Sequence, residues 1–142
     1  NSINRCLIYC NKISDFRHKT SDKMHNFKEL KIWQKAKDIA KDVYILCEKL
    51  PSSERFGYIS QLQRAAISIA SNIAEGSGRG DKEFMRFIDI AISSSYEVEN
   101  LLLIGIEINY LNKETTSVFI SEINELQKMM IGFKKTLTKS EI

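Results

Sequence analysis

Five features of this chain invite a chemical reading: three consecutive serines, a glycine-rich turn, three cysteines, two adjacent methionines and two histidines. Ser93-Ser94-Ser95 would be nucleophilic only with a base to take the hydroxyl proton, and His18 and His25 both lie near the N-terminus. A serine without a positioned base is a poor nucleophile, so the cluster reads as small side chains that let helices approach closely. Gly76-Ser77-Gly78-Arg79-Gly80 suggests a phosphate loop. Such a loop follows a strand and precedes a helix, and a P-loop closes on Gly-Lys-Ser/Thr. Here a helical pattern comes first and Asp81-Lys82 comes after, so the turn reads as a plain helix connection. Cys6 and Cys10 form a Cx3C spacing without two further ligands, and Cys47 sits inside a helical pattern. That odd set argues against a disulfide framework and reads as free thiols. Met129-Met130 reads as plastic core filler, and Trp33 as core on an apolar helix face. These readings yield no catalytic residue, no cofactor and no metal.

The elements that must position these residues are helices. In 142 residues with one proline and six glycines, long uninterrupted helices are favoured over a turn-rich β-architecture. No apolar run approaches the roughly 20 residues that span a bilayer. The segment Cys6 to Cys10 is too short for a signal-peptide core, so a cytoplasmic protein with no membrane partner is expected. From Phe27 to Leu50, the positions Ile32, Ala36, Ile39, Val43, Leu46 and Leu50 step by 4, 3, 4, 3, 4, which is one face of a packed helix. Phe27, Leu30 and Trp33 widen that face, and Pro51 with Ser52-Ser53 ends the helix. A second helix starts at Glu54 or Tyr58 and reaches Glu75, with Ile59, Leu62, Ala66, Ile69 and Ile73 facing inward. Arg64, Ser68, Ser71 and Glu75 fall on its opposite side, Ile67 lies on a flank, and Gly76 is placed just past the helix end.

A third helix starts near Asp81 as N-cap and runs to about Asn109. Leu101, Leu102, Leu103, Ile104 and Ile106 leave it apolar almost all round, which calls for an intersubunit contact. After a cap at Asn112 or Thr115, a fourth helix carries Phe119, Ile123, Leu126, Met130, Phe133 and Leu137. Short links between four such helices predict an all-α, up-down-up-down antiparallel four-helix bundle over residues 24–142. Residues 1–23 lack a sustained period and read as an N-terminal extension, either non-native or loosely ordered, with at most a short helix near Ile3 to Ile13.

Four segments carry a resemblance: Phe27 to Ala36 (FKELKIWQKA), Gln61 to Arg79 (QLQRAAISIASNIAEGSGR), Glu83 to Glu99 (EFMRFIDIAISSSYEVE) and the closing helix. Together they resemble the four-helix-bundle family of 23S rRNA intervening-sequence proteins (S23-like), from Met24 to about Leu137. A related branch comprises accessory proteins of diversity-generating retroelements. The resemblance implies a small bacterial protein of unsettled biochemical role, a ring of five bundles, and a polymerase or ribosomal partner. The first 23 residues have no counterpart in the family. Ile92-Ser93-Ser94-Ser95-Tyr96 stands where Gly-Ser-Leu is more usual.

Charge can be placed through the topology. One end of an up-down bundle gathers residues 24–37, 72–89 and 128–142, which hold 11 basic and 6 acidic residues, while the rest of the domain holds 5 and 10. Lys28, Lys31, Lys35, Arg79, Lys82, Arg86, Lys134 and Lys135 at that end are the candidate contacts to RNA or other nucleic acid. No aromatic stacking surface accompanies them in the sequence, and a solvated rim of lysines is the other reading. Arg64, Ile67, Ser71, Glu75, Leu103 and Ile104 are the candidate subunit interface. A scaffold or protein-binding subunit without nucleic-acid contact is the alternative function.

Overall fold

The computed structural model describes residues 24–139; the readings for residues 1–23, including Cys6, Cys10 and His18, lie outside them. Four helices follow one another: α1 (Lys31–Cys47), α2 (Tyr58–Ser77), α3 (Asp81–Glu107) and α4 (Lys113–Lys139). Successive helices run antiparallel. The α2–α3 pairing is traced by Tyr58 Oη donating to the Leu101 carbonyl (2.5 Å), by the Ser68–Ser94 hydroxyl pair (2.8 Å), and by Gly76 under Phe84. Lys134 to Asp89 (2.6 Å) and Gln127 to Glu99 (2.9 Å) trace α3–α4, and Lys35 to Glu122 (2.5 Å) ties α1 to α4. The four helices form an all-α bundle, and these contacts are consistent with the expected up-down-up-down order. No helix among the described residues is long and apolar enough to cross a membrane.

The core follows the predicted stripes of the first, second and fourth helices and takes in one face of α3. Ile32, Ala36, Ile39, Val43, Leu62, Ala66, Ile69, Ile73, Phe84, Ala91, Val98, Ile123, Leu126 and Met130 are all buried. Leu46 is only partly buried, and Cys47 takes the inward position beside it. Burial pushes the Cys47 thiol upward, away from the reactive thiolate. Trp33 is likewise only partly buried, packing edge-on against Phe27 (5.0 Å) under the Lys37 ammonium (5.4 Å).

Several boundaries differ from expectation for local reasons. Phe27–Glu29 is a 3-10 turn capped by the Asn26 side chain, and extended Leu30 separates it from α1. At the other end, Glu48, Lys49 and Leu50 bond three residues back, tightening the chain before Pro51. Gly76 is not past the end of α2 but inside its last turn, Gly78 is the C-cap, and no glycine among the described residues has positive φ. What Gly76 provides is space: a Cβ there would meet Phe84 Cδ2 at 2.5 Å and Phe87 Cβ at 2.6 Å. Gly80 rather than Asp81 is the N-cap of α3. Asn109, at φ 61°, turns the chain out of α3, and Tyr110 and Leu111 both donate their amides to the Gly105 carbonyl.

Candidate nucleic-acid interface

The serines that first suggested chemistry are engaged structurally. Ser93 and Ser95 donate to the carbonyls of Asp89 (3.0 Å) and Ile92 (2.6 Å). Ser94 meets Ser68 at a close α2–α3 approach, with Asn72 Nδ2 donating to Ser68 Oγ (3.1 Å). Ser68 therefore leaves the outward stripe assigned to it, because the mid-helix seam needs a partner for Ser94. Among the described residues no group of three or more His, Cys, Asp or Glu side chains could hold a metal.

The basic end is assembled around His25. Its amide donates to the Ser77 carbonyl at the end of α2 (3.0 Å), and its Nε2 lies 3.5 Å from Asp81 Oδ1 at the start of α3. Its ring packs against Phe84 (5.4 Å) and edge-on to Phe133 near the end of α4 (5.8 Å). One residue thus joins the three other segments of that end to the stretch that leads into α1. The sequence carried no spacing that would single His25 out; only its place just before the first helix hinted at it.

Around this joint the predicted cations sort into two groups. Lys28 and Lys31 are exposed just before and at the start of α1, Lys82 and Arg86 on the first turns of α3, and Lys135 on α4. None of these five enters an ion pair among the described residues. The other three are committed within the bundle. Lys35 turns across to Glu122 (2.5 Å) and Glu125 (3.2 Å), and the Glu122 hydrogen bond raises its pKa. Lys134 is held by Asp89 (2.6 Å). Arg79 lies over the Phe87 ring (5.9 Å) and 3.7 Å from Glu83. These exposed pairs contribute little to stability, but they occupy the charges that would otherwise face a phosphate.

The sequence reasoning also missed an apolar feature of this end. A groove of about 350 Å³ lies at the α1–α4 seam, lined by Glu29, Leu30, Lys31, Ile32, Met129 and Phe133. The heptad-like spacing of Met129 and Phe133 concealed it, because a position can lie on the core face and still be open at a bundle end.

The candidate interface residues lie on the outer walls of α2 and α3. Arg64, Ser71 and Glu75 are exposed, as are Ile67, Leu103 and Ile104, each between 42% and 49%. Arg64 shares a groove of about 490 Å³ with Gln61, Ser68 and Glu97 between the two helices.

Comparison with known proteins agrees with this architecture. A protein of unknown function from the S23 ribosomal protein family of Bacteroides thetaiotaomicron, known as a crystal structure, superposes with a TM-score of 0.68. The two are 24% identical, and the match covers 73% of this chain and 95% of the other, a likeness of fold. No curated protein sequence matches. The family profile of the 23S rRNA-intervening sequence protein matches residues 28–132. Spanning most of the bundle, that match places the chain in the 23S rRNA-intervening sequence protein family.

Proposed function

We propose that this protein is a non-enzymatic, cytoplasmic bundle that assembles into a ring through the outer walls of α2 and α3 and binds RNA at its basic end. The observation that carries the reading is the convergence of Lys28, Lys31, Lys82, Arg86 and Lys135 on the end joined by His25, none of them in an ion pair among the described residues. A ring, of five subunits by family resemblance, repeats that end around one axis and multiplies the local potential. Phosphate contacts of this kind give affinity that falls steeply with salt and depends little on sequence. Filter binding of structured RNA across a salt series tests it. A linear fall of log affinity with log salt is expected, and no binding at low salt overturns the reading.

Exposed Ile67, Tyr96, Leu103 and Ile104 support a second reading, a scaffold that receives a protein such as a polymerase or ribosomal component. A pull-down from the source cell that recovers nucleic acid but no protein would count against it.

A further inference from the structure

We propose that the groove at the α1–α4 seam receives an unpaired nucleobase, so that the basic end selects single-stranded or looped-out RNA over uninterrupted duplex. The inference rests on the nucleic-acid reading above and names the form of RNA that reading leaves open.

The groove has the three things a base site needs: room, an apolar wall with a fixed ring, and cations at its rim. Its volume is about 350 Å³, and an apolar cavity of about 150 Å³ already accepts benzene. Leu30, Met129 and Phe133 are only partly buried and Ile32 closes the floor at 4% exposure, so apolar surface is left open to a ligand. The Phe133 ring is set by edge-on contacts to Phe84 (5.4 Å) and His25 (5.8 Å). A ring already held in place loses little freedom on stacking.

Charge identifies the occupant. The two stretches that build the walls, residues 28–37 and 128–139, carry eight lysines against Glu29; Lys35, Lys37 and Lys134 are paired with acidic side chains, and Lys28, Lys31, Lys128, Lys135 and Lys139 enter no ion pair among the described residues. Of these, Lys31 lines the groove itself and Lys28 lies one residue before its rim. An apolar helix from a partner would leave the unpaired ammonium groups of these stretches without a counter-charge, whereas a nucleotide strand puts a base in the groove and its flanking phosphates within reach of Lys28 and Lys31. That is the pairing of stacking surface and basic track by which proteins hold single strands. In a duplex the bases are stacked on each other and cannot enter.

The test compares three RNA probes of one length by fluorescence anisotropy at fixed salt, using the whole chain: a single-stranded oligoadenylate, the same strand with abasic sites, and a perfect duplex. The oligoadenylate should bind about tenfold or more tighter than its abasic counterpart, the order of one stacked base. Phe133→Leu should remove that advantage while leaving the abasic and duplex affinities unchanged. Leu30→Ser, which takes away the opposite wall and supplies a capping hydroxyl to α1, should do the same without endangering the fold. Equal binding of abasic and base-bearing strands, or equal losses on all three probes, overturns the base site and leaves the phosphate reading standing. A change of oligomeric state in either variant with RNA affinities unaltered also overturns it, by assigning the groove to a second copy. No binding of any probe removes both readings together.

Discussion

The imidazole Nε2 of His25 lies 3.5 Å from Oδ1 of Asp81, with the ring packed against Phe84 and Phe133. This relationship closes the bundle at its basic end, since the Ser77 carbonyl is taken by the backbone of the same residue. His25→Ala removes the ring contacts and leaves the Asp81 carboxylate, only 14% exposed, without that partner. Aromatic contacts of this kind contribute about 0.5–1.5 kcal/mol beyond burial. The variant should lose about 1–2 kcal/mol and melt roughly 4–8 °C lower. His25→Phe should recover the ring contacts but not the contact to Asp81. Thermal melts followed by circular dichroism check both.

Gly76 and Gly132 make a matched pair of opposite sign. At Gly76 a methyl group would strike Phe84 and Phe87, while at Gly132 nothing lies within 4 Å of the added Cβ. Gly76→Ala should destabilise by about 2–3 kcal/mol through overpacking. Gly132→Ala, in the exposed middle of α4, should stabilise by about 0.5–1 kcal/mol. Urea unfolding midpoints of the two variants would read the difference directly.

Alkaline stability should depend on Tyr58. Burial pushes its phenol up to about 12, with the neighbouring Cys47 adding to the shift. Below the ordinary value of about 10 the phenol is neutral whether the chain is folded or not, and its contribution is fully present. Between about 10 and 12 the unfolded chain gives up a proton that the folded chain keeps, so stability falls as pH rises. Tyr58→Phe should cost about 1 kcal/mol at neutral pH, from the lost bond to the Leu101 carbonyl. Its alkaline slope should be flatter, so the parent's advantage should shrink as pH rises above about 10. Parallel curves would refute this account.

Self-association should respond to the outer wall of α3. Leu103 and Ile104 are 49% and 42% exposed, and a glutamate at Leu103 would be desolvated without a partner if that wall is covered. Leu103→Glu, or Arg64→Ala combined with Glu75→Ala, should shift the protein toward smaller species while its helical signal stays unchanged. Light scattering that finds the same mass as the parent would remove the proposed interface.

The bundle was readable in the sequence because its signals are periodic and local. A stripe stepping by 3 and 4 reports a helix and its inward face without knowledge of its neighbours. The positive end was readable as well, since antiparallel order alone decides which segments share it. What stayed hidden depends on neighbours. Gly76 looks like a helix terminator until Phe84 is placed over it. Ser68 looks outward until Ser94 faces it, and Lys35 looks like a phosphate contact until α4 brings Glu122 within 2.5 Å. The groove beside Phe133 is hidden for the same reason, being built from residues such as Ile32 and Met129 that lie on the first and last helices of the bundle.

The uneven spacing of the helices along the chain also sets an order of events. Only Gly78 to Gly80 separate α2 from α3, so closing that hairpin costs little chain entropy. The seam between α1 and α4 instead joins distant residues such as Lys35 and Glu122, 87 positions apart along the chain, and is expected to form after the hairpin. The seam that forms last is also the one held by the fewest local contacts, so hydrogen exchange should find α1 and α4 opening at lower free energy than α2 and α3. The groove at that seam would then loosen while the central hairpin remained folded, letting a nucleotide strand enter or leave without unfolding the protein.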